Sequence, residues 1–404
     1  MVSLLGIVLL LLVAWGLSTD RRAVNPRTVL GALSIQIAVA AFVLYFPPGK
    51  QVLAVIANGV EHILNYTQAG IDFLFGSLGN KSTGIIFVIN VLPVIVFFSS
   101  FVTVLYHLGI MTWVVRLIGG LLERALKTSR PESLSAAANI FVGQAEAPLV
   151  VKPFVPRMTE SELFAVMVGG LASIAGSVMA GYASLGVDLN YLLAASFMAA
   201  PGGLMMAKIL VPETGQPINQ LDDLGDVEDH NYVNVFDAAA SGALTGLQIA
   251  LAVGAMLLVF IAFIAMANDL IGGVASLMGY PGVTFQLILG YLFQPLAWVL
   301  GVPWHEASAA GSLIGEKLVL NEFVAYVDFI KEKSTLTPIT QGVITFALCG
   351  FANFSSIAIL LGGIGAMAPS RRHDIARLGV RALTAATFSN LMSAAIAGFF
   401  LSLS

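Results

Sequence analysis

Eleven apolar runs dominate the chain: 2–18, 28–47, 84–107, 132–155, 161–185, 189–211, 244–279, 282–301, 303–330, 338–368 and 377–403. Lipid hydrocarbon is about 30 Å thick, and a helix rising about 1.5 Å per residue needs roughly 20 apolar residues to cross it. No water is available there, so backbone polar groups must pair within the segment, as they do in a helix. The composition agrees: 58% of residues are hydrophobic and 10% charged, against about 25% charged in soluble domains. So little charge cannot keep a soluble surface dispersed, and so much apolar sequence excludes disorder. Forty glycines without a G-x-y period exclude a collagen. The expectation is an all-α polytopic membrane protein. A net charge of −4 without a basic tail argues against nucleic acid as a partner. The single cysteine, Cys349, cannot form an intramolecular disulfide, and the five scattered histidines offer no Cys/His metal site.

Basic residues set the orientation. The first run is not a cleavable signal peptide, because it lacks a basic n-region and its positive flank (Arg21, Arg22, Arg27) follows it. That flank predicts an outside N-terminus. Arg116, Arg124, Lys127, Arg130, Lys152, Arg157, Lys208, Arg371, Arg372, Arg377 and Arg381 fall on the same, inner side, giving 14 of the 19 basic residues. Lys50, Lys81, Lys317, Lys331 and Lys333 remain for the outer side.

Segment 132–155 then has inner-side charge at both ends, which a single crossing cannot produce and a re-entrant hairpin can. Each limb would hold about 10 residues, roughly 15 Å, half the hydrocarbon core. The turn falls at Gly143-Gln144-Ala145-Glu146, near the midplane, where irregular backbone is tolerated only when it lines a protein cavity. Pro148, Pro153 and Pro156 fit helix starts and stops beyond that tip. Segment 303–330 carries Asn321-Glu322-Phe323 in apolar surroundings, with Lys331 and Lys333 on the other side, and reads as a second hairpin entering from outside. The run 282–301 either spans or lies along the outer surface; two hairpins make parity favour the surface. Residues 212–236 read as a soluble loop, and 50–80 as mixed sequence containing an interfacial helix.

Each hairpin precedes a helix with a Ser-Ile-Ala step among small residues: Ser173-Ile174-Ala175-Gly176-Ser177 and Ser355-Ser356-Ile357-Ala358. Hairpin, broken helix and closing helix thus occur twice with opposite entry. That is the pattern of an inverted repeat, in which substrate and coupling ion bind at the midplane where helices are interrupted.

Glu146 and Glu322 are the most expensive residues by this reading, since an unpaired carboxylate in a membrane costs at least about 2–4 kcal/mol. Function is the default for such groups; the plain alternative is capping of the hairpin helices. Asn353 and Ser356 interrupt an apolar run and suit a ligand role beside the repeat, or interhelical hydrogen bonding. Phe351 offers an aromatic face, for which packing is the simpler reading. Asn139, Val142, Ser173 and Ile174 are candidates for cation coordination, with Val and Ile giving only backbone oxygen. Asp222-Asp223-Leu224-Gly225-Asp226 matches a Mg²⁺–diphosphate signature, but Gly225 and nearby prolines place it on a loop, and five acids in eight residues usually mean solvation.

These motifs resemble the concentrative nucleoside transporters. Gly143-Gln144-Ala145-Glu146-Ala147-Pro148 is similar to that family's G-Q-[TS]-E-A-P, Asn321-Glu322-Phe323-Val324-Ala325-Tyr326 to its N-E-F-V-A-Y, and Gly350-Phe351-Ala352-Asn353-Phe354-Ser355-Ser356-Ile357 to its G-F-A-N-x-S-S-I. The resemblance spans essentially the whole chain. It implies eight transmembrane helices, two opposed re-entrant hairpins, a homotrimer, and a sodium-driven nucleoside importer with an elevator-type transport domain moving against a scaffold. It also implies four divisions: 1–130 with N-terminal, interfacial and scaffold helices; 131–211 with the first repeat; 212–281 with a cytoplasmic acidic loop and a long scaffold helix; and 282–404 with the second repeat. Carried over by position, Gln144, Ala145 and Glu146 face the nucleobase, Val178 packs on it, Glu322, Asn353 and Ser356 hold the ribose hydroxyls, and Phe351 lines the pocket. Asn139, Val142, Ser173 and Ile174 would hold sodium, the coupling ion, with no organic cofactor. Ala145 departs from the family's Thr or Ser, and its methyl group cannot hydrogen-bond a base.

The expected function is therefore import of uridine and related nucleosides on a sodium gradient, in a bacterial inner membrane, by a transporter and not an enzyme. The competing readings are proton coupling through Glu146 or Glu322, a membrane enzyme built on Asp222, Asp223 and Asp226, and a channel with Glu146 and Glu322 in its pore.

Overall fold

A computed structural model describes residues 2–80, 86–217 and 232–403. Among these, all regular structure is helical. The N-terminal part contains α1 (Val2–Gly16), α2 (Pro26–Ala40, extended by a π turn to Tyr45), α3 (Pro47–Asn65), α4 (Thr67–Phe75), α5 (Phe87–Asn90), α6 (Leu92–His107) and α7 (Ile110–Leu126). The buried residues of α3, Gly49, Leu53, Ala57 and Leu64, form one stripe, as an interfacial helix requires.

The first hairpin descends as α8 (Arg130–Ala138), turns through 139–146 and returns as 3-10 turns at Ala147–Val151 and Val155–Arg157. The two limbs pack against each other. The return is not the α-helix that the three prolines were expected to punctuate; Pro148 and Pro156, each lacking an N–H, stand instead at the starts of 3-10 turns. Beyond it, α9 (Glu160–Ala172) breaks at 173–175, resumes as α10 (Gly176–Leu185), and is followed by α11 (Leu189–Leu210).

The second half repeats this order. After α12 (Val235–Leu277) come α13 (Phe285–Val299), the hairpin α14 (Ala307–Val319) and α15 (Glu322–Glu332), the broken helix α16 (Pro338–Leu348) and α17 (Phe354–Met367), and α18 (Arg372–Leu401). The repeat is one helix longer than the sequence suggested, because α7 and α13 each pack on the first limb of the hairpin they precede. Contact along α13 is close: a Cβ on Gly311 would meet the Gly290 carbonyl at 2.7 Å. With 15 residues, α13 extends roughly 22 Å and lies along the first limb of the second hairpin.

Among the described residues, six helices are long and apolar enough to cross a membrane. The shorter α1 and the interrupted α16–α17 pair complete the eight expected.

Burial separates the helices into two environments. In Glu160–Leu185 all of the most apolar stretch is inside the protein, whereas in Val235–Leu277 only 17% is. The exposed helix α12 packs on α6 through Ala238, Gly242, Gly246 and Ala250, spaced every fourth residue. Cβ atoms on Gly242 or Gly246 would lie 2.7 Å from backbone atoms of α6, the close approach that small residues allow between membrane helices. Lys317 and Lys208, counted above as charges of the two surfaces, are both buried. One belongs to each count, so the predicted orientation is the same with both removed. Lys81 and the acidic loop with Asp222, Asp223, Gly225, Asp226, Glu228 and Asp229 lie outside the described residues.

Candidate functional site

Two helix breaks and two hairpin turns meet in the buried part of the protein. The backbone N–H of Phe351, in the second break, donates to the carbonyl of Ser173, in the first, at 3.1 Å. The first hairpin turn sits on the first break through the N–H of Gly176, which donates to the Phe141 carbonyl at 2.9 Å. A Cβ on Gly170 would lie 3.0 Å from Cβ of Gln144, so a small residue in α9 lets the tip approach.

At the second hairpin, Asn321 caps α15 by accepting from the N–H of Val324 (2.9 Å), which puts Glu322 in the first helical turn, where the helix dipole favours a carboxylate. Glu322 is buried and accepts from Tyr182 Oη at 3.0 Å and from Asn353 Nδ2 at 2.9 Å. Asn353 also caps α17, its Oδ1 accepting from the N–H of Ser356 (3.0 Å) and Ser355 Oγ (2.7 Å). One amide thus ends a helix break with its oxygen and bonds a carboxylate with its nitrogen, which an ionised Asp could not do. Gln144 Nε2 reaches Ser356 Oγ at 3.4 Å, joining the first hairpin tip to the second break. Gln144, Glu322, Asn353 and Ser356 therefore form one polar cluster.

Glu146 lies apart. Its Oε2 accepts from the N–H of Gly143 at 3.2 Å, and it faces a cavity of about 460 Å³ between the first hairpin and helices α6, α7 and α12. Phe141, Val142, Ser177 and Tyr106 line the same cavity. Ala145 is exposed at the tip, close to Gly363 of α17. Val178 is buried one turn into α10, and Phe351 is half-buried in the second break. Glu146 is thus not among the most deeply buried carboxylates; Glu132, Glu162 and Glu316 lie deeper.

Asn139, Val142, Ser173 and Ile174 gather where the first hairpin meets the first break. Asn139 Nδ2 donates to the Ser135 carbonyl at 2.9 Å, while its buried Oδ1 has no hydrogen-bond partner among the described residues. Ser173 Oγ donates to the Gly169 carbonyl at 3.0 Å, and a Cβ on Gly169 would lie 3.1 Å from Asn139 Nδ2. Near it, Gln144 Oε1 is another buried acceptor without a hydrogen-bond partner among the described residues. Buried acceptors are normally paired, so these two mark places where a ligand can be the partner.

Three family models cover this architecture. The chain matches the Na+ dependent nucleoside transporter N-terminus over residues 5–78, a nucleoside recognition (gate) model over 88–188, and the Na+ dependent nucleoside transporter C-terminus over 191–398. The chain belongs to the Na+-dependent nucleoside transporter family. It is 46% identical to the nucleoside permease NupC of Helicobacter pylori, covering 99% of this chain and 98% of that protein. It is 37% identical to sodium/nucleoside cotransporter 1 of Mus musculus, over 98% of this chain and 63% of the mouse protein. The structure of CNTnw in an inward-facing substrate-bound state is similar at a TM-score of 0.96 and 56% identity, covering 100% of this chain and 98% of that one. An outward-facing variant of the same protein matches at a TM-score of 0.97, covering the same shares. The chain is a membrane transporter and not an enzyme, which removes the catalytic reading of Asp222, Asp223 and Asp226.

Three buried side chains of the transporter were not anticipated as site residues. Tyr182 is half of the Glu322 clamp, and Lys317 and Asn390 bind the carbonyls of the two breaks. A lysine and an asparagine inside apolar runs were signals of the kind applied to Glu322 and Asn353.

Proposed function

We propose that the protein is a symporter that imports nucleosides, uridine among them, on a sodium gradient across a bacterial inner membrane, with its N-terminus outside. The observation that carries this is the polar cluster of Glu322, Asn353, Ser356 and Gln144, buried where both hairpins meet both helix breaks. In this reading the ribose diol donates to Glu322 and bonds Asn353 and Ser356, while Gln144 Oε1 accepts from the base. Val178 and Phe351 pack on the base, and Glu146 and Ala145 border it from the cavity side. Sodium is held by Asn139 Oδ1, Ser173 and the carbonyls of Val142 and Ile174. A hard cation suits oxygen donors at a helix break, and Asn139 offers a buried oxygen with no protein partner.

For alternating access we propose an elevator. The two hairpins and broken helices (131–211 and 282–404) move as one body against a scaffold containing α6 and α12, and α12 carries the contacts of a homotrimer. The contrast in burial between α9–α11 and α12 supports this division. A cross-link between the Glu146 hairpin and α6 is expected to stop transport.

The deciding experiment is uptake of radiolabelled uridine into proteoliposomes under an inward sodium gradient, with potassium replacing sodium, and under a proton gradient alone. Sodium-dependent accumulation that Glu322→Gln abolishes supports the reading. Accumulation on protons alone replaces the coupling ion and removes the sodium assignment. Failure with uridine, adenosine and inosine under every gradient overturns the substrate assignment.

A further inference from the structure

A helix broken inside a membrane leaves carbonyls without their usual N–H partners, and there is no water to take them. Here a single side chain serves both breaks. Asn390, on α18, donates one amide N–H to the carbonyl of Ala172 at 2.6 Å, at the end of α9, and the other to the carbonyl of Cys349 at 3.0 Å, at the end of α16. Its oxygen accepts from Lys317 Nζ at 2.7 Å. Lys317 also donates to the carbonyl of Ala347, in the last turn of α16, at 2.7 Å. Both side chains are buried, and the lysine nitrogen is held by two neutral oxygens.

The backbone is shaped around this link. A Cβ on Gly350 would collide with Asn390 Oδ1 and fall 2.8 Å from the Ala172 carbonyl, so the second break passes Asn390 at a distance only glycine permits. Lys317 sits on the first limb of the second hairpin, five positions before Glu322. One cation and one amide thus tie together the first break, the second break and the second hairpin.

We propose that Lys317, acting through Asn390, is a positioning residue that couples the ion site to the nucleoside site. The inference rests on the assignment of sodium to the first break and of nucleoside to the second. Sodium at Ser173 and Ile174 fixes the end of α9. Asn390 is bonded to that same end and transmits its position to Cys349. The Ser173 carbonyl, bonded to the Phe351 N–H, provides the parallel backbone link. The Lys317 brace then sets Phe351 and Asn353 against Glu322. Without it, nucleoside affinity loses its dependence on sodium while both sites remain.

The test measures equilibrium binding of uridine to the purified full-length protein, with and without saturating sodium, for the wild type, Lys317→Met, Lys317→Arg and Asn390→Asp. The readout is the ratio of the two affinities. Folding is checked by gel filtration and by the sodium-free affinity. The expected result is a ratio reduced at least about tenfold, equivalent to about 1.4 kcal/mol of coupling, in Lys317→Met and Asn390→Asp, and partly restored in Lys317→Arg. Asn390→Asp keeps an acceptor for Lys317 and its own volume, so it carries the test if Lys317→Met does not fold. A wild-type ratio in folded Asn390→Asp or Lys317→Met would overturn the proposal and leave the site assignments standing. A wild-type protein whose uridine affinity ignores sodium would overturn the ion assignment and this inference together.

Discussion

Asn353 donates its side-chain amide to Glu322 at 2.9 Å, across 31 positions of sequence, and so fastens the second helix break onto the tip of the second hairpin. The carboxylate receives a second hydrogen bond from Tyr182 and keeps acceptor capacity on both oxygens. A vicinal diol is a pair of donors, so the proposed ribose finds its acceptors oriented before it arrives. Preorganisation of this kind lowers the entropy cost of binding.

The Glu322 clamp sets the first expectation. Glu322→Gln puts an N–H₂ group against Asn353 Nδ2 or Tyr182 Oη, both donors to the carboxylate. A mispaired buried polar group costs about 1–3 kcal/mol, which corresponds to roughly 5- to 150-fold in nucleoside affinity. Uridine binding is expected to weaken in that range, and 2′,3′-dideoxyuridine is expected to lose most of its disadvantage in the variant. A variant that still discriminates fully against the dideoxy compound would place the diol elsewhere.

Tyr182→Phe removes one of the two donors and keeps the ring that packs on Tyr326 (centroids 4.4 Å apart) and Phe323 (4.9 Å). Glu322 then keeps Asn353 as its partner, so the carboxylate loses orientation without being stranded. The expected effect is a rise of about tenfold in uridine KM, near 1.4 kcal/mol, with the maximal rate largely preserved. Initial-rate uptake separates this from a folding defect, which would lower the maximal rate at unchanged KM.

Much of this architecture was legible in the chain because membrane physics leaves few choices. Charge at both ends of 132–155 exposed the first hairpin, and the cost of Glu322 in an apolar run singled out a carboxylate that the structure buries against Tyr182 and Asn353. The 3-10 return limb was not legible, since proline spacing shows where helices stop and not which helix follows. Positive-inside counting treats every lysine as solvated and so reads Lys317 as a flanking charge, whereas Asn390 and a broken helix satisfy it. Glu146 was ranked with Glu322, yet it turns back onto its own hairpin and faces the cavity. Local sequence cannot tell which side of a tip a carboxylate will choose.

The exposed tip residue bears on selectivity. Ala145 presents only a methyl group near Gly363 of α17, beside the proposed base position. Ala145→Thr adds a hydroxyl that can pair with a pyrimidine oxygen, worth about 0.5–1.5 kcal/mol and so roughly 2- to 12-fold. The ratio of uridine to adenosine KM is expected to fall by that factor in competition uptake. An unchanged ratio would mean that position 145 does not reach the base.

A stability expectation follows from the ion pair at the start of the first hairpin. Lys208 Nζ lies 2.6 Å from Glu132 Oε2 and 2.9 Å from Ser161 Oγ, with Glu213 at 3.6 Å. Glu132→Ala leaves the ammonium buried with its more distant and more exposed partner. Stranding one member of a buried pair costs about 3–5 kcal/mol, and Glu213 holds the expected loss to the lower end of that range. Replacing both members, Glu132→Leu with Lys208→Met, is expected to recover most of it in thermal unfolding of the detergent-purified protein. Equal losses in the single and double variants would assign the role to packing and not to charge.

The sodium assignment rests most heavily on Asn139, and one substitution there separates an ion ligand from a structural amide. Asn139 Nδ2 is anchored on the Ser135 carbonyl, and a flipped amide would set oxygen against oxygen there, so the buried Oδ1 is left for another partner. Asn139→Leu removes that oxygen at similar volume. If the oxygen coordinates sodium, half-saturation by sodium should shift upward by at least about tenfold, near 1.4 kcal/mol. Uridine KM at saturating sodium should change less than about threefold, because excess ion refills a weakened site. Asn139→Asp keeps an oxygen and adds charge, so its half-saturation should fall below that of Asn139→Leu. If instead the amide only pins α8, both variants should lose maximal rate at unchanged sodium half-saturation, and the ion would then have to be sought at another break.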